Sequence, residues 1–90
     1  MEYVQIELEQ LSAGHVALVM FEDHGTLSGR LVERRPDGRL ASHGNAHCES
    51  KAFFQLFSLA IAKEKSGTIQ VVIFDGAFWP EQFPQLNRRS

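Results

Sequence analysis

Six consecutive apolar residues, Val16, Ala17, Leu18, Val19, Met20 and Phe21, run up to the turn signal Asp23-His24-Gly25 and leave this segment little choice of structure. A short continuous apolar run bounded by turn residues suits a strand covered on both faces. Residues 15–22 are therefore expected to form the central strand. On its N-terminal side, residues 3–10 alternate, with Val4, Ile6 and Leu8 on one face and Tyr3, Gln5, Glu7 and Glu9 on the other, the period of a half-buried strand.

Asp23-His24-Gly25 closes a hairpin, because glycine takes positive φ freely and Asp bonds its own backbone. A strand is expected over 26–34. Arg35-Pro36-Asp37-Gly38 is a second turn with proline pre-set for its first central position, and 39–42 pair briefly beyond it. Asn45 suits a helix N-cap and Glu49 a first turn, so the helix is expected over 46–65. Its apolar positions Phe53, Phe54, Leu56, Phe57, Ala60 and Ile61 recur at three and four residues, and Ser66-Gly67 ends it. Residues 68–74 form a β-branched strand stopped by Asp75-Gly76.

These elements predict an α+β fold: a mostly antiparallel sheet of four to five strands in the order β-β-β-(β)-α-β, with one long helix packed on one face. The chain has 90 residues, too few for two cores, and 43% hydrophobic content, too much for a disordered tail. One domain is expected over 1–90, with an α+β core at 1–76 and an aromatic, proline-containing arm at 77–90.

Nine Lys and Arg against eleven Asp and Glu give a net charge of −2, so no global basic field collects phosphate backbones, and a general nucleic-acid or anionic-membrane binder is disfavoured. A single cysteine cannot form an intramolecular disulfide, and Met1 leads into Glu2, Glu7 and Glu9 with no leader-like apolar stretch, so a cytoplasmic protein is expected. The chain lacks a Gly-rich phosphate loop, a nucleophile-elbow serine, a paired CxxC and an RNA-binding aromatic signature, and it implies no cofactor.

Five groups of residues carry chemistry. Asp75 at the end of the last strand, Glu49 at the helix start and Glu9, or Glu7, on the first strand would make a two-cation site for phosphodiester hydrolysis if they met at one sheet edge. The succession of three antiparallel strands, a helix and a parallel strand over residues 3–76 resembles the first half of the ribonuclease H-like fold. That resemblance implies acids from the first strand, the first helix and the fourth strand. The family's first-strand Asp with its glycine-rich follow-on is absent, as is its second half. Against this stands the reading of a solvated strand face, a dipole-favoured Glu49 and an Asp-Gly turn.

His43, His47 and Cys48 offer metal-ligand chemistry without a standard zinc spacing, so a fourth ligand would have to come from elsewhere. Cys48 at a helix start is also a candidate thiolate nucleophile with His47 or His43 as base, or a small buried residue. Arg30, Arg34, Arg35 and Arg39 gather around the second turn, with Arg88 and Arg89 at the end of the chain. They suit either ion pairs with the Glu7 and Glu9 row or an acidic or phosphorylated partner. Phe78, Trp79 and Phe83 add aromatic area that either caps the core or anchors an interface. The expected function is a non-enzymatic protein-interaction module of the inhibitor, adaptor or immunity type, self-associating as a homodimer. Its contact surface would combine the aromatic arm with the arginine hairpin. The alternatives are the metal-dependent phosphodiesterase and a nucleic-acid binder using that hairpin.

Overall fold

The apolar run at Val16–Asp23 (β2) is one of the two central strands of a six-stranded sheet ordered β4-β3-β2-β5-β1-β6 in the computed structural model, which describes residues 1–88. The other elements are β1 (Glu2–Gln5), β3 (Thr26–Arg34), β4 (Leu40–His47), α1 (Lys51–Lys63), β5 (Thr68–Ile73) and β6 (Leu86–Arg88). Arg89 and Ser90, the end of the expected arm, lie outside the described residues.

The sheet is mixed rather than mostly antiparallel, and it has six strands rather than four or five. β2 pairs antiparallel with β3, and β3 with β4, whereas β5 runs parallel to both β2 and β1, and β6 parallel to β1. The cause is the segment after β1. The strand expected over 3–10 stops at Gln5, and the chain makes a 3-10 turn at Leu8–Gln10. A crossover of this kind returns the chain parallel to its start. It leaves a slot between β1 and β2 that β5 fills. The succession of antiparallel meander, helix and parallel strand is thus supplied by β2 to β5, with β1 added beyond β5.

Both hairpins follow their turn chemistry. His24 and Gly25 take φ of 51° and 80°, which places a two-residue loop between the paired Asp23 and Thr26. Gly38 donates to the Arg35 carbonyl at 2.8 Å to close the second hairpin.

The helix starts later than expected. Residues 45–47 stay in β4 because β3 offers them partners, with Arg30 opposite Asn45, Gly29 opposite Ala46 and Ser28 opposite His47. Ser50, not Asn45, is the N-cap, and Glu49 precedes the helix. α1 lies on one face of the sheet, packing Phe53, Leu56 and Ala60 against Leu18, Met20, Leu31, Ile69 and Val71. Burying Phe53 or Leu56 contributes about 1.5–3 kcal/mol each. Gly29 is required beneath Phe53, since a Cβ there would overlap the phenylalanine ring. The opposite face is covered by the β1–β2 crossover, where Ile6, Leu8 and Leu11 pack with Ala17, Val19, Val32 and Val72. β2 is therefore covered on both sides, as its composition requires.

Candidate functional site

The arm that follows β5 folds back over the helix side of the sheet. Gly76, at φ 87°, lets the chain turn beside Glu22, and Ala77 N–H donates to the Phe74 carbonyl at 3.0 Å. Phe83 N–H then donates to the Pro80 carbonyl at 3.1 Å, and the Trp79 indole N–H to the Pro84 carbonyl at 2.7 Å. These bonds aim Trp79 and Phe83 inward. Trp79 meets Tyr3 and Phe57 with ring centroids 5.9 and 6.1 Å apart, and Phe83 stacks on Phe53 at 5.4 Å. Aromatic contacts of this kind add about 0.5–1.5 kcal/mol per pair beyond burial.

Phe78 is the exception, because its ring is 60% exposed. It stands at the mouth of a cleft of about 630 Å³ enclosed by three pieces of chain. Gly25, Thr26 and Leu27 come from the β2–β3 hairpin, Cys48 and Glu49 from the β4–α1 junction, and Phe78, Pro80, Glu81, Gln82 and Phe83 from the arm. The lining is about equally polar and apolar, its apolar part supplied by Leu27, Phe78, Pro80 and Phe83. The charged side chains among the lining residues are Glu49 and Glu81, both acidic. A cleft with an apolar wall and carboxylates among its lining residues accepts an aliphatic stem that ends in a cation.

Burial, reinforced by the nearby Glu49 charge, pushes the Cys48 thiol up to about 11. Cys48 is thus a neutral wall of the cleft at neutral pH, not a thiolate. His43 and His47 do not join it. His43 bonds Glu33 at 2.7 Å and His47 bonds Ser28 Oγ at 2.9 Å, and alternation puts residues 33 and 28 on opposite faces of β3. The His43 hydrogen bond holds the Glu33 carboxyl below its ordinary value against the opposing effect of burial, with Lys63 and Arg35 adding to the lowering.

Glu9, Glu49 and Asp75 are not brought to one edge. Glu9 travels with the 3-10 turn over the face away from α1, Glu49 rims the cleft, and Asp75 follows β5 in an exposed turn. No group of three or more His, Cys, Asp or Glu side chains among the described residues is arranged to hold a metal ion.

The arginines Arg34, Arg35 and Arg39 gather at the second hairpin, with Arg30 further along β3. Arg30 lies over the Phe21 ring at 5.4 Å, and Arg39 approaches Asp37 at 3.8 Å. Arg34 donates to the carbonyls of Leu11, Gly38 and Leu8 at 3.1, 2.9 and 3.2 Å, so it fastens the 3-10 turn to β3. Ion pairs with Glu7 or Glu9 do not form among the described residues; Arg34 reaches their segment but bonds its backbone carbonyls instead. Arg35 and Arg39 flank the turn at one end of the nine-residue β3 and the cleft lies at the other, roughly 30 Å apart at the usual strand rise. Arm and arginine hairpin do not form one surface.

Sequence reasoning missed Leu27, Pro80 and Glu81 as cleft residues and the His15–Glu64 contact of 3.1 Å that ties the end of α1 to the start of β2. Only Pro80 carried a signal, as the residue that fixes the arm's turn. No protein-family model, curated protein or solved structure matches this chain.

Proposed function

We propose that this chain is a non-enzymatic protein-binding module whose cleft takes a basic, long-stemmed side chain of a protein partner. The observation that carries this reading is Phe78. It is a large ring left 60% exposed at the mouth of a cleft with an apolar wall and an acidic rim, while its neighbours Trp79 and Phe83 are drawn into the aromatic cluster. Exposed aromatics beside a pocket are the side chains that carry most binding energy at protein interfaces. Glu49 and Glu81 select a Lys or Arg, with the stem on Leu27 and Pro80 and the cation at the rim. The neutral Cys48 thiol supports binding rather than nucleophilic chemistry in this cleft.

The experiment is a titration of isotope-labelled protein, followed by amide chemical shifts, with short peptides in which Arg or Lys is flanked by Leu or Phe. Shifts are expected at Leu27, Cys48, Phe78 and Phe83. Phe78→Ala and Glu81→Lys should each weaken the interaction about tenfold, roughly 1.4 kcal/mol. Shifts confined to the Phe21 and Arg30 side of the sheet, or no response to any peptide, would overturn the reading.

A further inference from the structure

We propose that the chain forms a two-fold homodimer in which β4 pairs antiparallel with β4 of a second copy, joining two six-stranded sheets into one. β4 leaves one side of its backbone open at the edge of the sheet. It is an edge strand of eight residues, against three in β6 at the other edge. Its sequence, Leu-Ala-Ser-His-Gly-Asn-Ala-His, contains no Lys, Arg, Asp, Glu or Pro, the residues with which soluble proteins blunt an open edge.

Two backbone bonds define which of its amides face outward. Cys48 N–H donates to the Leu27 carbonyl at 3.0 Å, and Arg35 N–H to the Arg39 carbonyl at 2.7 Å. Antiparallel pairing alternates from each of these bonds. Leu40, Ser42, Asn45 and His47, opposite Arg34, Val32, Arg30 and Ser28, therefore turn their N–H and C=O groups away from β3. The His47 carbonyl accepts from both the N–H of Ser50 at 3.0 Å and its hydroxyl at 2.8 Å; the other outward groups face the open edge.

The set changes from even to odd numbers because of the irregularity between Arg30 and Val32, where His43 and Gly44 together face Leu31. That bulge makes the edge self-complementary. With a two-fold axis between residues 43 and 44, Leu40 of one copy faces His47 of the other and Ser42 faces Asn45. Every outward group then meets an outward group, each of them free except the His47 carbonyl. The two bulges lie at the axis, where neither interrupts a pairing segment. On the helix side of the strand Ala41 meets Ala46, small on small, and on the other side Ser42 and Asn45 exchange hydroxyl and amide groups. No like charges come together, since β4 has none.

None of the cleft-lining residues lies in β4, so this surface stands independently of the cleft and both copies keep it open. The test is the mass of the full chain by light scattering behind a sizing column over a range of concentrations. Twice 10.1 kDa is expected, with Asn45→Pro and Ser42→Pro each returning the mass to 10.1 kDa at concentrations where the unaltered chain stays doubled. Phe78→Ala should leave the doubled mass unchanged.

In the unaltered chain, amide exchange at Leu40, Ser42, Asn45 and His47 should slow as concentration rises. The register is read by mixing a Ser42→Cys chain with an Asn45→Cys chain, both carrying Cys48→Ser. The mixture should form a disulfide-linked dimer faster than either chain alone. A mass of 10.1 kDa at every concentration, a doubled mass that survives both proline substitutions, concentration-independent exchange at the four amides, or equal cross-linking of mixed and single chains would each overturn the proposal.

Discussion

Glu64 shows how one side chain joins elements distant in sequence. It follows α1, is only 6% exposed, and meets His15 at 3.1 Å just before β2. Burial pushes its carboxyl upward, but hydrogen bonds from His15 and from Ser66 together outweigh that and hold the group below its ordinary value of 4.5. A carboxyl lowered in the folded state contributes stability that is present above the unfolded value and is lost as pH falls through the folded one. Urea unfolding should therefore show Glu64→Gln less stable than the unaltered chain by about 2 kcal/mol at pH 7. The gap should narrow as pH falls below 4.5 and close once pH lies below the lowered folded-state value, where the carboxyl is protonated in both states. A gap that stays constant across the acid range would show that the charge of Glu64 is irrelevant.

At the scale of elements, Arg34 is the fastener. Its guanidinium reaches three carbonyls, two from the segment that covers the face opposite α1 and one from the second hairpin. Arg34→Ala should lower stability by about 2 kcal/mol, and Arg34→Lys should recover only part of it, because an ammonium cannot span the same fork. Thermal unfolding of the three proteins checks this; equal midpoints would remove the role.

β2, β3, α1 and β5 were legible because each carries its own period and its own stop, such as Asp23-His24-Gly25 and Ser66-Gly67. β1 was half legible. Val4, Ile6 and Leu8 do share one cluster, but Tyr3 on the other face is buried too, because Phe57 of α1 and Trp79 of the arm cover it. Nothing local announces that a strand will be sandwiched, or that residues 45–47 will choose β3 over a helix. β6 pairs through three residues with no strand pattern of their own, and is visible only once β1 is placed.

At the scale of the molecule, two aromatic functions that look alike in sequence separate in space. Trp79 and Phe83 complete the layer over β1 and α1, whereas Phe78 faces outward at a cleft that only the folded hairpin, helix start and arm create together. That convergence explains why the cleft was illegible: its walls come from residues 25–27, 48–49 and 78–83, and none of these stretches is distinctive alone. The arginines were legible as a cluster, and Arg34, Arg35 and Arg39 do stay at one hairpin, but a nine-residue strand separates that hairpin tip from the arm.

The account's central claim is that Phe83 belongs to the fold and Phe78 to a partner. Comparing Phe78→Ala with Phe83→Ala, in unfolding free energy and in affinity for the Arg- and Lys-containing peptides, tests it most directly. Phe83→Ala should cost about 3 kcal/mol of stability. Phe78→Ala should cost no more than about 0.5 kcal/mol while weakening peptide binding about tenfold. A Phe78→Ala protein destabilised as much as Phe83→Ala, with unchanged peptide affinity, would contradict the account.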